Sequence, residues 1–151
     1  MTAGPMTVTP STPIKEVASM LVRFQVGALP VVTPRDGVAG VVSETDLLRK
    51  ERLQRDPDGS HSAHLSYRDR RAIATAETAE EIMNTHPATV RPDTPLAEAA
   101  RVMSHHQTRC LLVTDGAGKL LGVVSARDLL RIFLRPDEAI KYYSRCFTLS
   151  V

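Results

Sequence analysis

Tryptophan is absent from the 151 residues, and phenylalanine and tyrosine occur three times each. With aromatics at 4%, an aromatic core is excluded, and so are the base-stacking platforms that hold single-stranded nucleic acid. Cysteine is equally scarce. Cys110 and Cys146 stand far apart, too few for a disulfide framework, and neither has the CxxC or His-spaced partner of a zinc or redox site. Nineteen Lys and Arg against seventeen Asp and Glu leave a charge of +2 and a sequence pI near 8.7, so nucleic-acid binding is not expected. No apolar run approaches the ~18 residues needed to span a bilayer, and no basic-then-apolar signal opens the chain; a cytoplasmic location is expected. HExxH, a Walker loop with its Lys, and Ser/His/Asp spacing are all missing, so no enzymatic activity is expected.

What the chain does have is a repeat. An offset of 82 residues separates Gly40 from Gly122 and holds without a gap through Arg49 and Arg131. Thr7-Val8-x-Pro10-x-Thr12-Pro13 returns as Thr89-Val90-x-Pro92-x-Thr94-Pro95, and Gly40-Val41-Val42-Ser43-x-x-Asp46-Leu47-Leu48-Arg49 as Gly122-Val123-Val124-Ser125-x-x-Asp128-Leu129-Leu130-Arg131. Roughly 18 of about 43 aligned positions are identical, which marks a tandem duplication.

Each copy reads as β-α-β-β-α. In the first, an extended segment over Met6–Thr9 is stopped by Pro10, and Pro13 sits where the first turn of a helix tolerates it. Val17, Ala18, Leu21 and Val22 keep helical spacing, strands follow over Ala28–Val32 and Val38–Val42, and a helix over Ser43–Leu53. The second copy gives Ala88–Val90, Pro95–Ser104, Cys110–Thr114, Leu120–Val124 and Ser125–Leu134, with an Asp115-Gly116 turn. The chain therefore divides into a first unit over 1–53, an exposed connector over 54–76 with a helix near Tyr67–Ala74, a second unit over 77–134 and a tail over 135–151. A short helix over Thr78–Met83 leads into the second unit and has no counterpart in the first. The apolar tail residues Tyr142, Tyr143, Phe147 and Leu149 suit packing on a partner subunit. His61 and His64 have helical spacing but no acidic or Cys partner, so no metal site is assigned.

Ser43-x-x-Asp46 and Ser125-x-x-Asp128 carry two readings. A strand running into a helix leaves backbone N–H groups at the positive end of the helix dipole, where a phosphate is welcome. The same letters also approximate a capping box, with the Ser accepting from the first turn and the Asp reaching back. Arg109 and Arg127 stand at the same end of the second copy, where the first has Gly27 and Thr45.

The duplicated unit, with Thr-Val-x-Pro-x-Thr-Pro, Ala28-Leu29-Pro30-Val31-Val32 and Gly-Val-Val-Ser-x-x-Asp-Leu-Leu, resembles the CBS-domain pair, or Bateman module. That resemblance implies an α/β (α+β) fold in which two units pack by their sheets about a pseudo-two-fold axis. It also implies clefts for an adenosine-containing ligand of the AMP, ADP or ATP class, or S-adenosylmethionine. By the same resemblance Asp46 and Asp128 take ribose hydroxyls and Ser43 and Ser125 contact phosphate. Arg109 and Arg127 add charge for a phosphate, Thr45 and Thr89 count among the ligand positions, and adenine lies near Met6 and Val8 or Ala88 and Val90. No cofactor is required. The expected role is a stand-alone regulatory module acting on an unknown protein and pairing as a homodimer through helix faces such as Val17/Leu21 and Val102/Met103. The alternative is an interaction scaffold whose clefts stay unoccupied.

Overall fold

The computed structural model describes residues 6–35, 37–56 and 65–134, which fall into two bodies. One is built from Thr7–Thr33 with Ala39–Thr85, the other around residues 86–134. His61, His64 and the tail from 135 onward, with its Tyr142, Tyr143, Phe147 and Leu149, lie outside the described residues.

In the first body the chain opens with Val8 bridged in parallel to Val31, its N–H donating to Pro30 O at 2.9 Å and its carbonyl accepting from Val32 N at 2.9 Å. Pro10 lacks the N–H to continue such a ladder, and the chain turns into α1 (Ile14–Phe24). Val17 and Leu21 project one turn apart from α1 into the core. The helix ends at Gln25, a non-glycine residue in the left-handed region at φ 54°. Strands β1 (Ala28–Thr33) and β2 (Gly37–Ser43) then pair in a two-stranded sheet, and α2 (Glu44–Arg55) leaves from Ser43.

Helix α3 (Tyr67–Thr75), started by Ser66 accepting from Asp69 N at 3.1 Å, packs on α2, where Lys50 Nζ donates to Ala74 O at 2.8 Å. The connector is thus only partly the exposed link that its polar composition suggested. Leu53 and Ala76 are buried.

A larger difference concerns the short helix α4 (Ala79–Ile82), which sequence order placed at the head of the second unit. Its surroundings tie it to the first. Ile14 N donates to Glu77 O, Ala79 N to Thr12 O, and Val41 and Asn84 exchange both backbone hydrogen bonds at 3.1 and 2.9 Å. Gly40 makes this approach possible, since a Cβ there would stand 2.6 Å from Asn84 O and 2.9 Å from Met83 Sδ.

The second body repeats the plan: β3 (Thr89–Val90), α5 (Leu96–His105), β4 (Cys110–Thr114), β5 (Leu120–Ser125) and α6 (Ala126–Phe133). Its sheet runs β3-β4-β5, parallel at the first pairing and antiparallel at the second. Val90 pairs with Val113, the duplicate of Val8 with Val31. Gln107 repeats the left-handed helix end of Gln25 at φ 50°. Val90, Ala99, Met103, Leu111, Val113 and Val124 form the core, each the 82-offset partner of a buried residue in the first body.

These burials correct the expected dimer faces. Val17, Leu21 and Met103 are 0%, 4% and 6% exposed and already spent on their own cores, while Val102 is half-buried against its own. The apolar side chains that remain uncovered are others, among them Val22, Leu48 and Leu130.

Candidate functional site

The two helix starts are built alike, because in each a β-strand delivers a Ser in extended conformation to the first turn. At the first, Ser43 N donates to Asp46 Oδ2 at 2.8 Å and Asp46 N to Ser43 Oγ at 3.4 Å, a reciprocal cap. Glu44 N donates to Gly27 O at 3.0 Å. At the second, Ser125 N donates to Asp128 Oδ2 at 2.9 Å, Asp128 N to Ser125 Oγ at 3.1 Å, and Ala126 N to Arg109 O at 2.7 Å. Three of the first four N–H groups of each helix are therefore satisfied within the chain. The donor that helix geometry leaves over is that of Thr45 in one and Arg127 in the other, fewer free N–H groups than the bare motif suggests.

Around those caps the copies diverge. The Ser43 hydroxyl donates to Asp46 Oδ2 at 2.9 Å, and Arg49 Nη2 reaches back one turn to Asp46 Oδ1 at 3.0 Å. Asp46 is buried, at 9% exposure. Asp128 is half-buried, and among the described residues its Oδ1 accepts no hydrogen bond. Arg131, the duplicate of Arg49, is exposed and forms no ion pair there.

The remaining positions fall as follows. Arg109 and Arg127 are exposed at the end where α6 begins, tied together by the Arg109 carbonyl on Ala126 N. Thr45 is exposed on the first turn of α2, and Gly27 is open to solvent-side space with nothing near a would-be Cβ. Thr89 is exposed on β3. Val8 and Val90 are buried in the two cores, Met6, Thr7 and Ala88 are half-buried, Ala88 against the second core, and Thr89 is exposed. Cys110, on β4, has its thiol pushed up to about 12 by burial and by the nearby Asp128 carboxylate. At neutral pH it stays protonated. No cluster of three or more metal-ligating side chains exists among the described residues.

Two features had no signal in the sequence. One is the Arg49 clamp, since Arg49 and Arg131 are the same letter. The other is a groove of about 1160 Å³ in the first body, lined by α1, α2 and α3 residues including Lys15, Leu47, Lys50 and Tyr67. Pro13 and Leu47 of the repeat motifs line it, but none of the candidate ligand residues does.

The CBS domain model matches residues 1–52 and 79–135, over half the chain. The chain is 30% identical over 138 residues to the chloroplastic CBS domain-containing protein CBSX2 of Arabidopsis thaliana, a match covering 85% of this chain and 58% of that protein. It is likewise 30% identical over 130 residues to the CBS domain-containing protein YhcV of Bacillus subtilis, covering 85% and 79% of the two. Among solved structures, CBSX2 in complex with AMP superposes with a TM-score of 0.74 at 29% identity, over 86% of this chain and 88% of that one. No helix among the described residues is long and apolar enough to cross a membrane.

Proposed function

The chain belongs to the CBS-domain family, and from that premise we propose that it is a regulatory module whose ligand is an adenosine compound of the AMP, ADP or ATP class. The observation that carries this reading is the open Oδ1 of Asp128 beside the uncommitted Ser125 hydroxyl, in a chain whose relative CBSX2 is crystallised with AMP. A carboxylate is acceptor-only and takes both protons of a ribose cis-diol. The Ser125 hydroxyl, the Arg127 N–H and the Arg109 guanidinium supply donors for a phosphate at the helix start. The ligand acts as an effector and no cofactor is required; the chain carries no catalysis of its own in this reading.

The signal is a change in affinity for a protein partner or in the pairing of two copies, which requires the ligand to favour one arrangement. Homodimerisation fits the exposed Leu48 and Leu130, two leucines at the same position of duplicated helices. A cytoplasmic location suits the free thiol of Cys110. Leu48→Lys and Leu130→Lys in one chain should halve the mass seen by light scattering.

One observation favours a second reading, a scaffold with unoccupied sites: both helix starts are capped without any ligand. Thermal melting with AMP, ADP, ATP and S-adenosylmethionine, each at about 1 mM, decides between them. Ligand at 100 times its dissociation constant adds about 2.7 kcal/mol. A rise of roughly 5–10 °C for one ligand, lost in Asp128→Asn, supports the sensor; flat curves for all four support the scaffold.

A further inference from the structure

The two Ser-x-x-Asp starts share their letters but not their free valence. A carboxylate has about four lone-pair positions. At Asp46 three are used: Oδ2 accepts from Ser43 N at 2.8 Å and Ser43 Oγ at 2.9 Å, and Oδ1 accepts from Arg49 Nη2 at 3.0 Å. At Asp128 one is used, by Ser125 N at 2.9 Å. A ribose diol needs two acceptors. Asp128 offers three, and Asp46 offers one, beside a guanidinium that already neutralises it.

The serines differ in the same direction. The proton of the Ser43 hydroxyl goes to Asp46, whereas that of Ser125 is given to no described residue. The arginines differ in burial: Arg49 is half-buried on α2, with its Nε buried and without a partner. Arg131, near the end of α6, stays in solvent.

We propose that the module works with one adenosine site per chain, at Asp128, and that Arg49 acts as an internal competitor which keeps the Asp46 site closed. This rests on the adenosine-ligand reading above and adds to it which repeat works and what silences the other. Arg49 is a specificity-determining residue here, touching the ribose acceptor and not the ligand. Asp46 gives up two of these interactions, one acceptor to Arg49 and one to the Ser43 hydroxyl, and together they lower affinity at least about ten-fold, so the two sites differ by that factor or more.

Isothermal titration with AMP on the full chain tests this. The wild type should bind one AMP per chain. Asp128→Asn, which keeps an oxygen for the cap, should weaken that binding at least ten-fold, while Asp46→Asn leaves it unchanged. Arg49→Gln should add a second site per chain. Melting curves without ligand establish that each variant is folded. Two equal sites in the wild type, loss of binding in Asp46→Asn with Asp128→Asn unaffected, or a single site in Arg49→Gln would overturn the inference while leaving the adenosine reading standing. Silence with AMP, ADP, ATP and S-adenosylmethionine alike overturns the adenosine reading and this inference with it.

Discussion

Removing the carboxylate of Asp46 should cost the fold far more than removing that of Asp128, although the sequence presents them as equivalents. Asp46→Ala deletes the acceptor of Ser43 N, the acceptor of the Ser43 hydroxyl and the partner of Arg49, all at a site 9% exposed. Loss of a helix cap costs about 1 kcal/mol. Leaving a buried donor unsatisfied adds about 1–2 kcal/mol. The Arg49 pair, between a carboxylate side chain 12% exposed and a guanidinium side chain 36% exposed, contributes up to about 1 kcal/mol after solvent screening. The total is about 2–4 kcal/mol. Asp128→Ala deletes one acceptor at a half-buried cap and should cost about 1 kcal/mol. For a domain of this length 1 kcal/mol moves the melting temperature by about 2–4 °C. Scanning calorimetry without ligand should therefore show a fall of roughly 5–10 °C for Asp46→Ala and about 3 °C for Asp128→Ala. Equal falls, or a larger one for Asp128→Ala, would refute the assignment of Asp46 as structural.

Gly40→Ala places a Cβ 2.6 Å from a backbone oxygen and should lower the urea midpoint by an amount equivalent to about 1–3 kcal/mol, because the Val41–Asn84 pairing must open to admit it. Gln25→Gly relieves a left-handed non-glycine helix end at φ 54° and should stabilise by up to about 1 kcal/mol in the same assay. Cys110 has its thiol raised from 9.0 to about 12, so the folded state holds its proton more tightly than the unfolded chain. The stability this gives is complete below pH 9 and is lost as the pH rises toward 12; calorimetry across that range on a Cys146→Ser background should show the decline, and replacing Cys110 by Ala should flatten it.

The repeat and its elements were legible because an exact 82-residue offset superposes six core positions of each copy, from Val8 and Val90 to Val42 and Val124. The place of residues 77–85 was not. They adjoin the second copy in sequence, and what takes them to the first is a tertiary event: the missing Cβ of Gly40 and the exchange of hydrogen bonds between Val41 and Asn84. Periodicity likewise marked Val17 and Leu21 as an apolar face but could not say what covers it; the core of their own body does. At the site, the capping box was readable from Ser-x-x-Asp, and its asymmetry was not. Arg49 and Arg131 are identical in type, and what separates them is tertiary: the first is half-buried and paired with Asp46, the second exposed.

A crystal structure of the chain grown with AMP tests the central claim most directly. The account predicts ribose hydroxyls on Asp128, with the phosphate near Ser125 and Arg127 and Asp46 still held by Arg49. AMP seated instead in the groove between α1, α2 and α3, or on Asp46 with Asp128 empty, would contradict it.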